Sequence, residues 1–433
     1  MNRKILQLAI PNIISNVTIP LLGLVDMALM GHLDSEVYIG AVSLGTVIFN
    51  FIYWGFSFLR MGTSGFTAQS YGEGDEAESF SILARSLTVS TVISVLIILL
   101  QVPIEWISFA AIGGSAEVET LAREYFSIRI WAAPATLGLY ALNGWFLGMQ
   151  NARYVMITSI LANVFNLIFS FIFVYFLQMN SAGVAWGTVI AQYTGILTGL
   201  FLLRKKYKPL FAHYQQSLVF NLAALKRFFK VNSDIFIRTF CVIFVFTFFT
   251  SKSASINDHI LAVNSILIQF LLLFSFFIDG FAFAGEALAG KYKGEQRKDL
   301  FYELTRRLFV WGIGLALAFS FLFLVGNKFV IGLLTNQDGL YDTASHFIVW
   351  VILTPLITFS SFVWDGIYIG VTASREMRNS MLAATLLLFA PSFYFLQDVL
   401  GNHALWLAMM LFMLGRGIFQ AILFPKVLAK SFH

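Results

Sequence analysis

A single carboxylate, Asp26, lies inside an apolar stretch that reads LLGLVDMALMGHL from Leu21 to Leu33. If this stretch crosses a membrane as a helix, the rise of about 1.5 Å per residue puts Asp26 roughly 8 to 10 Å below the polar segment GHLDSE. Acids at such depth are costly and rare, and they mark proton relays and ion pathways. We therefore expect Asp26 to exchange a proton or bind a cation. The alternative is an acid that only reaches water at the membrane surface.

Three polar residues with helical spacing lie in a later apolar stretch, ILANVFNLIFS, where Asn163, Asn166 and Ser170 follow at i, i+3 and i+7. A helix presents residues at this spacing on one face. Amides and hydroxyls either join neighbouring helices by hydrogen bonds or supply oxygen atoms to a polar pocket around Asp26. We favour the pocket for Asn166 and for Asn143 on the preceding stretch. Further polar groups lie on the following stretch, at Thr188 and Gln192.

The C-terminal half has charged residues of its own within apolar stretches. Asp234 and Arg238 are spaced i, i+4, so a helix brings them into contact range and the sequence predicts a structural ion pair. Asp365 lies in the stretch VWDGIYIG. We expect Asp365 to belong to a second substrate or ion site.

The composition indicates a membrane protein. Hydrophobic residues make up 58% of the 433 residues, charged residues make up 12%, and the mean hydropathy is +0.78. A soluble domain typically has about 25% charged residues. The six histidines and the single Cys241 show no metal-binding spacing, and the chain has no nucleotide-binding or nucleophile motif. We therefore expect a protein that is not an enzyme, that holds no cofactor or structural metal, and that binds no nucleic acid.

Twelve apolar stretches are long enough to span the hydrocarbon core, which needs about 20 residues. Lys and Arg accumulate in cytoplasmic loops, and here they concentrate in the connectors 204–230 and 291–298, whereas the loops GHLDSE and QMNSAG contain none. The sequence thus predicts a multi-pass protein of the inner (cytoplasmic) membrane with both termini in the cytoplasm. The predicted spans are 5–30, 38–69, 80–101, 122–150, 154–177, 181–203, 231–251, 258–289, 300–326, 342–372, 378–398 and 402–424.

The two halves of the chain resemble each other. GFTAQSYGEG at 65–74 recurs as GEALAGKYKG at 285–294, an offset of 220. NGWFLGMQNAR at 143–153 recurs as DGIYIGVTASR at 365–375, an offset of 222. Two matches in the same order at nearly the same spacing indicate an internal repeat.

The repeat predicts an all-α membrane protein with an N-terminal six-helix lobe (1–203) and a C-terminal six-helix lobe (231–433). The connector between them, 204–230, is expected to lie in the cytoplasm and to contain a short amphipathic helix. With six spans each, both lobes enter the membrane from the same side, so a pseudo-two-fold axis along the membrane normal would relate them. This organisation is typical of alternating-access carriers.

The motifs IPLLGLVDMALMGHLD, FLRMGTSGFTAQ and VWDGIYIGVTASREMRNSM resemble those of the multidrug and toxic compound extrusion (MATE) transporters, in particular the DinF-like branch. The resemblance covers essentially the whole chain. It implies two lobes around a V-shaped cavity, and export of drug-like, often cationic or amphiphilic compounds coupled to inward flow of H⁺ or Na⁺. It also implies that Asp26 matches the acid of the first helix. Residues in or beside the cation site of the N-terminal lobe would be Asn143, Asn166, Tyr125 and Thr188.

One position departs from the family pattern, because many relatives carry N-x-x-x-D on the fifth helix where this sequence has Asn166 and Ser170. Na⁺ favours several hard oxygen ligands with formal charge, whereas one carboxylate suffices to carry a proton. The sequence therefore favours H⁺ as the coupling ion, with weak Na⁺ binding at Asp26 and Asn166 as the alternative. The predicted coupling site comprises Asp26, Asn143, Asn166, Ser170 and Thr188.

The predicted substrate cavity comprises Tyr125, Gln192, Asp234, Arg238 and Asp365. Small organic compounds and membrane lipids are the expected partners, and we expect a monomer. The alternative function is a lipid-linked precursor flippase or a polysaccharide exporter of the same superfamily. Such flippases often have two extra helices and several arginines in the cavity, which twelve spans with few arginines do not match.

Overall fold

The structure is a computed structural model that describes residues 1–31, 37–111, 113, 115–334 and 338–432. Within the helices, the side chains of residues 19, 21, 22, 24–28, 31, 330, 333, 334 and 338 lie outside this description, and Asp26 is one of them. The described residues form helices joined by short turns and contain no strand, so the all-α prediction is confirmed. They divide into an N-terminal unit, Ile14–Phe229, and a C-terminal unit, Met1–Ile13 with Lys230–His433.

The N-terminal unit begins inside α1 (Asn2–Gly31), whose first turns belong to the C-terminal unit. Residues 102–121, between the third and fourth predicted spans, are partly helical. A π-helical turn, Ile172–Phe176, and a 3₁₀ turn, Lys208–His213, lie between helices. The helices in order are α2 (Val37–Gly55), α3 (Phe58–Glu73), α4 (Glu76–Leu99), α5 (Gln101–Ala111), α6 (Ala116–Arg129), α7 (Ala133–Gly148), α8 (Ala152–Phe171), α9 (Asn180–Tyr207) and α10 (Gln216–Val219).

The C-terminal unit contains the longest helices of the described chain. The first of its helices, α11 (Leu222–Ile256), begins in the N-terminal unit, to which residues 222–229 belong. The others are α12 (Asp258–Gly294), α13 (Lys298–Leu334), α14 (Asp338–Gly370), α15 (Ser374–Ala383), α16 (Ala390–Leu400) and α17 (Asn402–Ser431). The π-helical segment Ala384–Phe389 joins α15 to α16. The end of the connector differs from the separate surface helix expected there, because residues 222–230 continue without interruption into the rest of α11.

Ten helical stretches of the described chain are long and apolar enough to cross a membrane. They correspond to ten of the twelve predicted spans. The remaining two predicted spans, 5–30 and 122–150, coincide with α1 and with the consecutive helices α6 and α7.

Glycines recur where two helices touch through their backbones. A Cβ at Gly144 of α7 would collide with the carbonyl of Arg60 on α3, and a Cβ at Gly366 of α14 would collide with the carbonyl of Ala282 on α12. Both residue numbers rise by 222 between the first pair and the second (144 to 366, 60 to 282). The internal repeat therefore extends to individual backbone contacts within each unit, where only glycine allows so close an approach.

The turns of the two units repeat as well. Gln150 and Thr372 both have positive φ, of 59° and 55°, and Gly74 and Gln296 have φ of 72° and 54°. Each second residue again lies 222 positions after the first (150 to 372, 74 to 296). The offset of 220 assigned to GFTAQSYGEG and GEALAGKYKG is therefore wrong by two residues. The turn at Gly74 corresponds to Gln296, and matching the glycines of the two segments gave a false register.

Candidate functional site

A buried carboxylate of the C-terminal unit, Asp365 on α14, is held by three donors. Arg416 Nη2 of α17 donates to Asp365 Oδ2 at 2.7 Å, and Arg238 Nη2 of α11 donates to the same oxygen. Gln420 Nε2, one turn after Arg416, donates to Asp365 Oδ1 at 2.7 Å. Asp365 is 4% exposed and Arg416 is 2% exposed. Buried charges generally persist only when they are paired and hydrogen-bonded, and this network meets both conditions.

The network around Asp365 has further polar capacity. Asp279 on α12 lies close enough to Arg416 to act on it as a second negative charge. The Phe362 ring contributes a cation–π contact, with its centroid 5.3 Å from the Arg416 guanidinium carbon. Arg238 Nε, Arg416 Nε and Gln420 Oε1 have no hydrogen-bond partner within the described chain. The cluster can therefore donate and accept additional hydrogen bonds.

Asp234 and Arg238 lie one turn apart on α11, but the ion pair predicted between them is not formed among the described residues. Arg378 Nη1 donates to Asp234 Oδ1 at 2.5 Å, and Ser374 Oγ donates to Asp234 Oδ2 at 3.0 Å. Both donors come from α15, while Arg238 contacts Asp365 instead. An i, i+4 pair adds only about 0.2 to 0.5 kcal/mol, so partners from neighbouring helices decide which ions meet.

Asn166 and Thr188 meet between α8 and α9 in the N-terminal unit. Asn166 Nδ2 donates to Thr188 Oγ1 at 3.0 Å. Ser170, one turn further along α8, is fully buried against Gly187 of α9, where a Cβ would collide with its hydroxyl. Asn166 Oδ1 and Ser170 Oγ have no hydrogen-bond partner within the described chain. This face of α8 thus presents two buried oxygen atoms and no formal charge.

Asn143 lies apart from the Asn166 group. Thr158 Oγ1 of α8 donates to Asn143 Oδ1 of α7 at 3.0 Å. Thr158 precedes Asn166 by eight residues, which corresponds to about 12 Å along a helix. The structure therefore does not bring Asn143 into contact with Asn166. The two amides were expected to share one pocket, but they lie at different heights along α8.

Tyr125 of α6 lies beside a cation. Arg129 Nη1 donates to the Tyr125 hydroxyl and, at 3.2 Å, to Thr46 Oγ1 of α2. The Arg129 guanidinium carbon is 5.1 Å from the centroid of the Phe49 ring. Arg129 was not predicted from the sequence, although its i, i+4 spacing from Tyr125 was an available signal.

Two predicted residues of the N-terminal unit remain. Gln192 is half-buried on α9, one turn after Thr188. Asp26 belongs to α1, but its side chain lies outside the described part of the chain. No group of three or more His, Cys, Asp and Glu side chains that could hold a metal ion occurs among the described residues.

The partners of the C-terminal acids were also missed from the sequence. The partners of Asp365 and Asp234 lie 51 to 144 residues away along the chain, so no local pattern indicates them. One signal was available for Arg416 and Gln420, because two polar residues at i, i+4 in an apolar span share one helix face.

Comparison with known proteins gives consistent matches. The MatE family profile matches residues 11–172 and 235–394. The chain is 35% identical to DNA damage-inducible protein F of Escherichia coli (strain K12) over 425 residues, which cover 98% of this chain and 92% of that protein.

Solved structures have the same fold. The crystal structure of MATE in the bent conformation matches with a TM-score of 0.87 and 18% identity, over 99% of this chain and 97% of that one. The outward-facing conformation of a multidrug resistance MATE family transporter of the MOP superfamily matches with a TM-score of 0.82 and 20% identity, over 99% of this chain and 96% of that one.

Proposed function

The chain belongs to the MATE family of multidrug and toxic compound efflux transporters, and we propose that it exports drug-like, often cationic or amphiphilic compounds in exchange for H⁺ by alternating access. Asp26 is the residue that carries the proton in this proposal.

Helix α1 is tied to α8 on both sides of Asp26, and this observation carries the proposal. Asn163 Nδ2 of α8 donates to Thr18 Oγ1 of α1 at 2.9 Å. Beyond α8, the Tyr175 hydroxyl donates to the Leu29 carbonyl at 3.3 Å. The two helices therefore run side by side in the same direction. At about 1.5 Å per residue, the Asp26 backbone lies roughly 12 Å beyond Thr18.

On α8, Ser170 lies at nearly the same height as Asp26 does on α1, because its backbone is about 10 Å beyond Asn163. The buried Asn166 Oδ1 and Ser170 Oγ are thus the polar atoms of α8 nearest to the Asp26 level. A protonated carboxyl group has an O–H that can donate to such oxygens, whereas a carboxylate can only accept. Na⁺ favours formal charge among its ligands, and this part of α8 supplies none. The uncharged oxygens of α8 therefore suit H⁺ better than Na⁺ as the coupling ion.

The coupling mechanism follows from the two protonation states of Asp26. The ionised form attracts a cationic compound, and protonation from outside removes the attraction and releases the compound. Pro11 and Pro20 remove backbone hydrogen bonds from α1, so the helix can bend between the two states. Binding that is tighter in one protonation state supplies the coupling free energy, typically about 1 to 3 kcal/mol.

The test is Asp26→Asn, which retains the shape of the side chain and removes its titration. We expect substrate binding in detergent to lose its pH dependence, and efflux into inverted vesicles driven by an imposed ΔpH to stop. Asp258→Asn, the same change at an exposed acid at the start of α12, is the matched control and should leave both readouts unchanged. An Asp26→Asn protein that still accumulates substrate under ΔpH would overturn the proposal. Efflux by the wild type under ΔpNa alone would replace H⁺ with Na⁺.

A further inference from the structure

A small cavity with walls of both charges lies in the N-terminal unit, at the end where the basic connector begins. Its volume is about 300 Å³, and it is bounded by the end of α3, the start of α4, the end of α9 and the turn after α9. Asp75 and Glu76 supply two carboxylates, and Lys206 supplies an ammonium group. The rest of the wall is mainly aromatic and apolar, including Tyr207 and Leu210.

Neighbouring groups hold these charges in place. Glu76 Oε2 lies 3.3 Å from His213 Nε2, which leaves its other carboxylate oxygen for a ligand. Asp75 Oδ1 accepts the backbone N–H of Glu78 at 2.8 Å and caps α4. The Lys206 ammonium lies 5.2 Å from the ring centroid of Tyr207 and 5.7 Å from that of Tyr154. A cation held on aromatic faces within the same cavity as two carboxylates suits a ligand that has both a positive and a negative group.

The residues that line an apolar groove of about 400 Å³ are close neighbours, along the chain, of those that line this cavity. The two share the same three segments. On α4, Ser79 lines the cavity and the next residue, Phe80, lines the groove. In the turn after α9, Leu210 lines the cavity and the next residue, Phe211, lines the groove. Leu203 of the groove lies one turn before Lys206 and Tyr207 of the cavity. The other groove residues are Leu83, Ala84, Leu87 and Tyr214.

A buried arginine fixes the connector next to the groove. Arg85 of α4 is 3% exposed and donates to the carbonyls of Leu218 at 2.8 Å and Val219 at 3.2 Å. The Phe80 and Phe211 rings make an edge contact with centroids 5.2 Å apart. The groove wall is therefore preformed by contacts within the protein, which lowers the entropic cost of binding an alkyl chain.

We propose that the cavity and the groove together bind one zwitterionic aminophospholipid, with its headgroup in the cavity and an acyl chain in the groove. The primary ammonium group donates hydrogen bonds to Asp75 and Glu76, and the phosphate lies beside Lys206. A quaternary choline group has no N–H to donate, and an anionic glycerol headgroup brings no cation to the two carboxylates. The site thus selects phosphatidylethanolamine over both other lipid classes.

The test is native mass spectrometry of the delipidated full chain, titrated separately with phosphatidylethanolamine, phosphatidylcholine and phosphatidylglycerol of identical acyl chains. We expect one phosphatidylethanolamine to bind on the order of tenfold more tightly than either competitor, as the loss of an ionic hydrogen bond implies. Asp75→Asn with Glu76→Gln should abolish this preference. The asparagine retains the cap on α4, so the helix start is preserved. Glu73→Gln, which removes a single negative charge at an exposed residue outside the cavity, should leave the preference unchanged.

A second arm tests the groove with soluble glycerophosphoethanolamine, which has the headgroup and no chains. It should fail to displace the lipid at concentrations where the lipid itself binds. Equal binding of the three lipids to the wild type, or an unchanged preference in the double variant with a wild-type melting temperature, would overturn the proposal. Tighter binding of phosphatidylglycerol would overturn it in favour of simple attraction to the basic connector.

Discussion

Arg416 and Asp365 form an ion pair in the interior of the C-terminal unit, joined by a hydrogen bond of 2.7 Å. Arg238 donates to the same carboxylate oxygen, so one acid compensates two guanidinium groups at close range. Neutralising this acid leaves the buried Arg416 and the partly buried Arg238 without their common partner, which makes Asp365 the most sensitive member of the network.

We expect Asp365→Asn to lower the melting temperature of the purified protein and to reduce efflux of a fluorescent cation. Removing one partner of a buried ion pair typically costs about 3 to 5 kcal/mol. Thermal unfolding followed by tryptophan fluorescence measures the first effect. The double variant with Arg416→Gln should lose less stability than the two single changes together, because the residues are coupled. Strict additivity would show that the ion pair contributes no net coupling.

Substitution of the repeated glycines should be severely destabilising. Gly144→Ala and Gly366→Ala each place a methyl group against a carbonyl of a neighbouring helix, and backbone atoms cannot move aside as a flexible side chain can. We expect each variant to give a lower membrane yield and a lower melting temperature. Gly314→Ala on α13 is the control, since a Cβ there meets nothing within 4 Å, and it should be neutral or slightly stabilising. Wild-type stability of either variant would contradict the close helix contact.

Restoring the family acid on α8 should add sodium sensitivity. Ser170→Asp supplies a charged oxygen one turn from Asn166, and a charged ligand strengthens Na⁺ binding. Because Ser170 packs tightly against Gly187, any larger side chain disturbs the helix contact. Ser170→Asn is therefore the matched comparison. Transport should depend on Na⁺ in the aspartate variant and not in the asparagine variant; the same Na⁺ response in both would exclude a role for the charge.

The predicted orientation can be tested with single cysteines in a Cys241→Ala background. Gln215→Cys in the basic connector should be protected from a membrane-impermeant thiol reagent in intact cells, and Gln178→Cys should react. Both positions are exposed, so burial does not confound the comparison. Reversed labelling would contradict the orientation derived from the Lys and Arg distribution.

The helices were accessible from the sequence because apolar runs and turn residues are local signals. The ion pairs could not be predicted from the sequence. Asp234 and Arg238 share a helix face, yet their partners come from other helices, and only the packing of α11 against its neighbours determines this. Asn143 is partly buried on α7 and Asn166 is buried on α8. Their relative heights depend on the packing of α7 against α8, which the periodicity of the sequence does not encode. The contact of Asn166 with Thr188 is the part of the predicted site that lies together.

The left-handed turns at Gln150 and Thr372 bear on the origin of the molecule. Neither residue is glycine, and each turn follows its polar residue, Asn143 or Asp365, by the same seven positions. Two unrelated sequences would have no reason to adopt the same unfavourable dihedral angle at equivalent places with different side chains. Gene duplication explains the shared turn. After duplication the two copies diverged, so that one has the amide Asn143 where the other has the acid Asp365, while both retain the turn between helices. The left-handed turn is therefore common to both halves of the chain, whereas the polar residue seven positions before it is not.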